Sequence, residues 1–247
     1  MHKFFVEKSQ IESNSIYISG NDLKHIQKVL RLRPGDKIEV SCDGSNYLCE
    51  ISKLDKDKIE TTIISKGIAS REAPIEISLY QGLAKGSKMD FIIQKCVEIG
   101  VKDFYAIETE RTIVKIKDEK KEINRIERWQ SIAEEAAKQS KRDFIPHIKG
   151  ILKFDEMVNV LSKEEAIIVP YENEENLSIR DGLGKVNSKK INLIIGAEGG
   201  FEDYEIEKLR DLGAQIVTLG PRTLRTETAA LVSSAIILYE LGNVGVI

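Results

Sequence analysis

The sequence contains few of the residues that build metal sites and disulfides. Among 247 residues, only three are cysteine and three are histidine. Cys42, Cys49 and Cys96 form no CxxC pair and are odd in number, which fits reduced thiols in a cytosol better than a disulfide framework. The histidines are far apart in the sequence, so we expect no metal site and no histidine-based triad.

Long apolar runs and a strong overall charge are also missing. No run is long enough to cross a bilayer, and the N-terminus lacks the apolar core of a signal peptide. We therefore expect a cytoplasmic protein that does not contact membranes. The net charge of −3 does not indicate a nucleic-acid binder, but residues 22–37 hold five basic side chains against two acidic ones.

The first 70 residues have the pattern of a small β-barrel. Apolar and polar residues alternate over residues 38–40, 47–52 and 59–65, with turn signals between them. One short helix is predicted over residues 20–30, with Asn21 or Asp22 as its N-cap. Residues 71–74 are a plausible linker to the rest of the chain.

From residue 75 onward, apolar strands alternate with helical patterns. Strands are predicted over 75–81, 101–107, 166–169, 191–195 and 214–219, and helices over 89–98, 120–141, 203–212 and 227–241. This alternation predicts a mainly parallel sheet covered by helices. Ligands of such sheets bind at the carboxyl ends of the strands.

A glycine-rich loop follows one of these strand ends. Gly196, Gly199 and Gly200 let the backbone approach a ligand, although any one of them alone is explained equally by the geometry of a turn. Neither a GxGxxG nor a GK[ST] pattern is present, which removes the usual support for a dinucleotide site or a P-loop. Phe201 and Asp203 are interpreted as the hydrophobic staple and the cap of the next helix.

The second loop, residues 219–229, carries two arginines before an apolar helix. Thr226 is interpreted as the cap of that helix, and Glu227 favours its positive end. Arg222 and Arg225 have no such structural role, and guanidinium groups recognise phosphates or planar polar groups. The helix itself is apolar almost all round, which leaves two alternatives open: a central core helix or a dimer seam.

Several separated motifs resemble one known family. The two loops, IGAEGGF and LGPRTLRTETA, are similar to the paired signature of the SPOUT methyltransferases, and more narrowly to the RsmE family. The motifs DLKHIQKVLRLRPGD, KGSKMD, QKCVEIG, ERT and EAAKQSKR match the same family at residues 22–36, 85–90, 94–100, 110–112 and 135–142. Ala197 stands where the family usually has proline.

The resemblance implies a fold, a cofactor and a substrate. It implies a PUA-like β-barrel over residues 1–71 and a SPOUT domain over 72–247, with a deep trefoil knot in about 166–247 and a homodimer through the knotted region. The implied reaction is S-adenosylmethionine-dependent methylation of uridine N3 at position 1498 of 16S ribosomal RNA, in the small ribosomal subunit. The implied cofactor-binding residues are Tyr171, Gly196, Glu198, Gly199, Gly200, Leu219, Gly220, Leu224 and Thr226.

Roles for the charged residues follow from this chemistry. Arg225 is expected to stabilise the uracil anion, and Arg222 to do the same or to hold a flanking phosphate. Glu227 is a possible base, but a helix N-terminus would stabilise its carboxylate and weaken it in that role. RNA contacts are expected from basic side chains. The candidates are Lys3, Lys24, Lys28, Arg31, Arg33, Lys85 and Arg142.

Three other functions remain as alternatives. One is a different SPOUT enzyme that methylates a ribose 2′-hydroxyl or a tRNA base, against which the N-terminal β-rich segment argues. Another is a non-catalytic ribosome-assembly factor that binds RNA, against which the intact Arg-Thr-Glu-Thr cluster argues. The last is an unrelated nucleotide-binding α/β enzyme, which the missing phosphate loop disfavours.

Overall fold

The computed structural model describes residues 1–67, 70–114 and 118–245. The chain divides into two compact units, each with its own sheet. The first unit consists of Met1–Glu72 together with Ala137–Ile145, and the second of Ala73–Ala136 together with Pro146–Ile247. The segment Ala137–Ile145 lies in the first unit, whereas the sequence analysis assigns the whole chain after residue 71 to the second domain.

The first unit contains a six-stranded sheet in the order β1-β4-β5-β6-β3-β2. Its strands are β1 Lys3–Phe5, β2 Ile11–Glu12, β3 Ser15–Ile18, β4 Lys37–Cys42, β5 Ser45–Leu54 and β6 Ile59–Lys66. Neighbours are antiparallel except β1 and β4. Successive side chains of a strand point to opposite faces of the sheet, so only one face is buried. In β6, Ile59, Thr61 and Ile63 lie on the buried face, whereas Thr62 and Ile64 are exposed. The three predicted strands are confirmed.

The short helix of this unit differs from the prediction in how it begins and ends. Helix α1, Asn21–Lys24, continues as a π-helical segment, His25–Leu30. Its N-cap is Gly20 at φ +71°, without a side-chain cap, so the prediction of Asn21 or Asp22 was wrong. Arg31 ends the segment in the left-handed region at φ +53°.

The second unit contains a wholly parallel sheet in the order β12-β10-β11-β7-β8-β9. Its strands are β7 Glu76–Gly82, β8 Asp103–Glu108, β9 His147–Lys153, β10 Ile167–Pro170, β11 Lys190–Ile195 and β12 Gln215–Val217. Strands β7 and β11 are buried along nearly their whole length, as expected for strands covered on both faces. The edge strand β9 was not predicted, because it carries no clear alternation and its glycine and lysines weaken the pattern.

Six helices accompany this sheet. They are α2 Lys88–Ile99, α3 Glu119–Gln139, α4 Phe154–Leu161, α5 Ile179–Leu183, α6 Asp203–Asp211 and α7 Thr226–Leu241. The sequence analysis missed α4 and α5, which are too short for a sustained period. Helix α6 has Glu202 as its N-cap rather than Asp203, and Glu205 Oε2 accepts a hydrogen bond from the Glu202 N–H. Phe201 packs in the same core cluster as Ile206, as the staple interpretation requires.

Helix α7 has a core side and an apolar open side. It contacts α2, α5, β7 and β11, and its buried residues include Ala230, Ile237 and Leu238. The remaining apolar side chains stay partly or largely exposed: Leu231, Val232, Ala235, Ile236 and Tyr239. The buried side of α7 therefore agrees with the prediction of a central core helix. Among the described residues, no helix has the length and apolar character of a membrane span.

Candidate functional site

Three strands of the second unit end beside one another. Because β11, β10 and β12 are parallel neighbours, their carboxyl ends lie at the same edge of the sheet. The segments that follow them are residues 170–175, 196–200 and 218–225. The sequence analysis predicted that the last two would meet, and the structure brings them together.

These segments enclose two adjoining cavities. The larger, of about 500 Å³, lies between the β10 and β12 ends, and its lining includes Tyr171, Leu219, Gly220 and Arg222. The smaller, of about 320 Å³, lies against the glycine-rich loop. Both are lined by Pro170, Glu172, Thr223, Leu224 and Ala229. The shared walls make them two parts of one site.

The lining of the larger cavity combines apolar residues with four charged ones and a glycine. Leu219, Leu224 and Ala229 supply apolar surface. Gly220 has φ +104° and no atom within 4 Å of the position that a Cβ would occupy, so glycine is needed there for its backbone conformation. Burial raises the pKa of the Tyr171 hydroxyl, and that hydroxyl accepts a hydrogen bond from Asn173.

The glycine-rich loop is pressed against the end of β7. A Cβ on Gly82 would lie 2.2 Å from the Ala197 nitrogen, so only glycine permits this approach. The loop closes on itself through the Gly200 N–H, which donates to the Ala197 carbonyl at 3.0 Å. The sequence analysis missed Gly82. Its position directly after a buried apolar strand was the available signal.

Thr226 ties three elements together at the floor of the smaller cavity. Its hydroxyl donates to the Gly196 carbonyl at 2.6 Å and accepts a hydrogen bond from Gln81 Nε2 at 2.8 Å. The N-cap of α7 is Arg225, so the prediction that Thr226 caps this helix was wrong. Its buried hydroxyl instead joins the ends of β7 and β11 to the start of α7.

Lys88 links the glycine-rich loop to α7. Its ammonium lies 3.3 Å from Glu198 Oε1 and 3.5 Å from Glu227 Oε2. Glu198 Oε1 also accepts a hydrogen bond from the Lys85 N–H at 3.0 Å. Burial opposes ionisation of Glu198, but the backbone hydrogen bonds and the Lys88 ammonium outweigh it and hold its pKa below the usual range.

Arg111 fixes the other side of the glycine-rich loop. Its guanidinium forms a bidentate pair with Glu202, at 2.8 and 2.9 Å, and donates to the Gly199 carbonyl at 3.3 Å. A Cβ on Gly199 would lie 2.9 Å from the Arg111 Cβ. Gly199 thus packs against Arg111. It lines neither cavity, whereas Gly196 and Gly200 line the smaller one. Only the short ERT motif pointed to Arg111 in the sequence.

Arg222 and Arg225 both belong to the lining of the site. Arg222 lines the larger cavity and Arg225 the smaller one. Both are exposed, and within the described parts of the chain neither side chain has a hydrogen bond or ion pair. Glu227 lines neither cavity, and its Oε2 is buried on the side of Lys88. The two arginines are thus the charged groups with unused donors.

Four of the predicted RNA-binding side chains in the first unit are exposed, and the other two, Lys3 and Arg142, are buried. Lys24, Lys28, Arg31 and Arg33 are exposed, and no side-chain partner exists for them within residues 1–67, 70–114 and 118–245. Arg31 is the C-cap of the helical segment that contains Lys28. Lys85, in the second unit, is also exposed.

Lys3 and Arg142 depart from their predicted role. The Lys3 ammonium is 1% exposed and pairs with Asp143 at 2.6 Å, and Arg142 pairs with Glu72 at 2.7 Å. Burial opposes ionisation of Asp143, but hydrogen bonds from Lys3 and the Arg71 N–H hold its pKa below the usual range. Both cations hold the segment Ala137–Ile145 within the first unit, so we remove them from the candidate RNA surface.

Comparisons with known proteins identify the family of this chain. A family model described as an RNA methyltransferase domain matches residues 71–238, and a model of an RNA methyltransferase PUA domain matches residues 18–64. The chain is 34% identical to the ribosomal RNA small subunit methyltransferase E of Bacillus subtilis, over 97% of both chains.

Solved structures give the same result. A ribosomal RNA small subunit methyltransferase E from Neisseria gonorrhoeae, bound to S-adenosylmethionine, matches with a TM-score of 0.85 and 30% identity over 99% of each chain. A methyltransferase from Legionella pneumophila, also bound to S-adenosylmethionine, matches with a TM-score of 0.82 and 27% identity over 97% of this chain and 98% of that one. The fold is therefore that of a SPOUT methyltransferase with an N-terminal PUA domain, and the chain belongs to the ribosomal RNA small subunit methyltransferase E family.

Proposed function

We propose that this protein uses S-adenosylmethionine to methylate N3 of a uridine in 16S ribosomal RNA, at position 1498 as in the family. The observation that carries the proposal is the pair of unpaired guanidinium groups, Arg222 and Arg225, at a divided cavity formed by three strand ends. An alkyl donor and a planar polar acceptor require adjacent compartments of this kind.

The residues of the larger cavity fit the cofactor. A volume of about 500 Å³ lies within the range of small-molecule sites. Leu219 and Leu224 would enclose the adenine between apolar surfaces, with Gly220 supplying backbone polar groups. Tyr171 would form a further wall, with Gly196, Glu198, Gly200 and Thr226 as the side toward the smaller cavity. Gly199 would support the loop from behind rather than touch the cofactor.

S-adenosylmethionine supplies an electrophilic methyl group on a positively charged sulfur. The N3–H bond of uracil breaks and the proton leaves to water. The N3 electron pair then forms the bond to the methyl carbon while the carbon–sulfur bond breaks, and its electron pair stays on the sulfur. The protein has to hold N3 in line with the methyl group and to stabilise the ring anion.

The two arginines are assigned to that anion. Arg225, at the smaller cavity, would donate to the uracil oxygens, where the negative charge accumulates. Arg222, at the larger cavity, would hold the ring or a flanking phosphate. Glu227 stays a candidate base from the sequence, but its buried Oε2 faces Lys88, which supports a charge-pairing role instead.

RNA contacts are proposed for two separate surfaces. In the first unit, which we take to be the PUA-like domain, the exposed cations Lys24, Lys28, Arg31 and Arg33 would neutralise phosphates. In the second unit, Lys85 is exposed beside the glycine-rich loop. Because binding by phosphate contacts releases counterions, each lost contact should reduce the salt dependence of binding. A substrate in the ribosome would place the protein in the cytoplasm.

Homodimer formation is proposed through helix α7. Its partly exposed apolar side, including Leu231, Ala235 and Tyr239, would be covered by a second copy. We retain the trefoil knot over about residues 166–247 as a prediction of the family resemblance.

The proposal is tested with labelled S-adenosylmethionine and small ribosomal subunits from a strain that lacks the modification. We expect one methyl group per subunit, mapped to N3 of a single uridine by nuclease digestion and mass spectrometry. Methylation of a ribose 2′-hydroxyl, or of tRNA alone, would instead favour a different SPOUT activity. Binding of rRNA without any transfer would favour an assembly factor, and either result would overturn the proposed reaction.

A further inference from the structure

One cation at the smaller cavity is shared by two carboxylates. Lys88, the first residue of α2, lines this cavity and lies between Glu198 of the glycine-rich loop and Glu227 of the first turn of α7. The distances from its ammonium are 3.3 and 3.5 Å. The three side chains are about one-third exposed or less, so water screens their charges only in part.

These carboxylates create an electrostatic problem for the proposed reaction. A uracil ring that has lost its N3 proton is an anion, and Arg225 faces the same cavity to stabilise it. Without the ammonium, Glu198 in the cavity wall and Glu227 behind Lys88 would raise the energy of that anion further. Glu227 Oε2 is buried without a hydrogen bond among the described residues, so its charge depends on Lys88 in particular.

We propose that Lys88 is a charge-compensating positioning residue: its ammonium offsets one of the two negative charges of Glu198 and Glu227, so that the guanidinium of Arg225 acts on the pyrimidine anion rather than on its own neighbours. This inference rests on the proposed function. It gives Glu198 and Glu227 a shared task, which is to hold the ammonium at the wall, and it makes Glu227 an anchor of Lys88 and not the acceptor of the N3 proton.

The first test is the Lys88→Met variant in a methyl-transfer assay with small subunits. We expect kcat to fall roughly ten- to thirtyfold, the effect of one added negative charge several ångströms from the reacting atoms. The Kd for S-adenosylmethionine should change less than threefold, and Lys88→Arg should recover most of the lost rate. If Lys88→Met does not fold, Lys88→Gln replaces it.

Lys95→Met is the matched control. Lys95 lies on the same helix, pairs with Glu98 at 2.8 Å, and has nearly the same side-chain exposure, 36% against 35% for Lys88. It lines neither cavity. Its loss should leave kcat within twofold of the unmodified protein. A drop equal to that of Lys88→Met would overturn the proposal, because the effect would then come from α2 as a whole.

The decisive test removes the carboxylates as well. Lys88→Met combined with Glu198→Gln, or with Glu227→Gln, should recover at least a third of the lost rate, since the net charge of the cluster returns from −2 to the −1 of the unmodified protein. Glutamine retains the Oε1 acceptor for the Lys85 N–H. Double variants that stay at or below the rate of Lys88→Met would overturn the proposal. So would a flatter salt dependence of KM, which would assign Lys88 to an RNA phosphate.

A second measurement needs no methyl transfer. Urea unfolding of the same single and double variants gives the coupling between Lys88 and each carboxylate. The midpoint shift caused by Lys88→Met should be smaller when Glu198 or Glu227 is already glutamine. Strictly additive shifts would refute the shared ion pair. An unmodified protein that transfers no methyl group would refute the proposed function instead, so the two failures are distinguishable.

Discussion

The two loops of the site, which both line its smaller cavity, are built in opposite ways. In the glycine-rich loop, nearly every position is held: Gly196 by Thr226, Glu198 by Lys85 and Lys88, and Gly199 by Arg111. In the arginine loop, the guanidinium groups of Arg222 and Arg225 have no partner within the described residues.

This difference separates a preorganised wall from groups that are left for a ligand. Holding a loop before the ligand arrives removes the entropic cost of ordering it on binding. An unpaired guanidinium beside a cavity has donors to offer to an incoming anion without first breaking an ion pair. The contrast predicts that substitutions in the first loop affect cofactor binding and stability, whereas substitutions of the two arginines in the second loop affect transfer.

The largest effect is expected for Arg225→Ala. It removes the donor proposed for the pyrimidine anion, and loss of one such donor typically lowers kcat by about a hundred- to a thousandfold. The Kd for S-adenosylmethionine, measured by calorimetry, should stay within threefold. Arg180→Ala, which removes an exposed arginine that lines neither cavity, should leave the rate unchanged. Near-normal turnover of Arg225→Ala would remove this residue from the mechanism.

Gly82→Ala should break the preorganised wall itself. The added Cβ would lie 2.2 Å from the Ala197 nitrogen, which is backbone and has no rotamer to change. We expect a loss of about 1–3 kcal/mol in the free energy of unfolding and weaker binding of S-adenosylmethionine. Gly184→Ala is the control, because its Cβ would meet the nearest atom at 3.5 Å, an ordinary contact. Equal unfolding curves for both variants would contradict the close approach.

Thr226→Val tests the tie between the two loops. Valine has the same shape but leaves Gln81 Nε2 and the Gly196 carbonyl without this partner. We expect a cost of about 1–3 kcal/mol in unfolding free energy, measured in urea. Thr228→Val, in the same helical turn but exposed, should cost less than 0.5 kcal/mol or so. If the two variants unfold alike, the buried hydroxyl does not hold the loops.

The smallest expected effect is the acid sensitivity of the glycine-rich loop. The pKa of Glu198 is lowered from its ordinary value of 4.5 in the folded protein, so its stabilising contribution is complete above 4.5. That contribution is lost as the pH falls through the lower, folded-state pKa. In Glu198→Gln, the part of the unfolding free energy that varies with pH between 6 and 3 should therefore be smaller. Parallel pH profiles for the two proteins would contradict a lowered pKa.

Local sequence patterns predicted much of the architecture because they report burial directly. The mainly apolar runs of β7, β10 and β11 and the glycine after α2 required no knowledge of the fold. Short elements such as α4, α5 and β9 were missed because a period needs length to be visible. The cap of α6 was misplaced by one residue, because Asp is the usual N-cap residue whereas Glu202 occupies that position in the structure.

The sequence by itself determined that two strand-end loops, one rich in glycine and one with two arginines, would form a site in a parallel α/β unit. Only the tertiary structure decided which charges are available there. Lys3 and Arg142 look like surface cations in the sequence but are buried in ion pairs, whereas Arg222 and Arg225 are left without partners. The physical reason is that ion pairing and close backbone contact, as at Gly82, join residues far apart in the chain, and no local pattern encodes the distance between them.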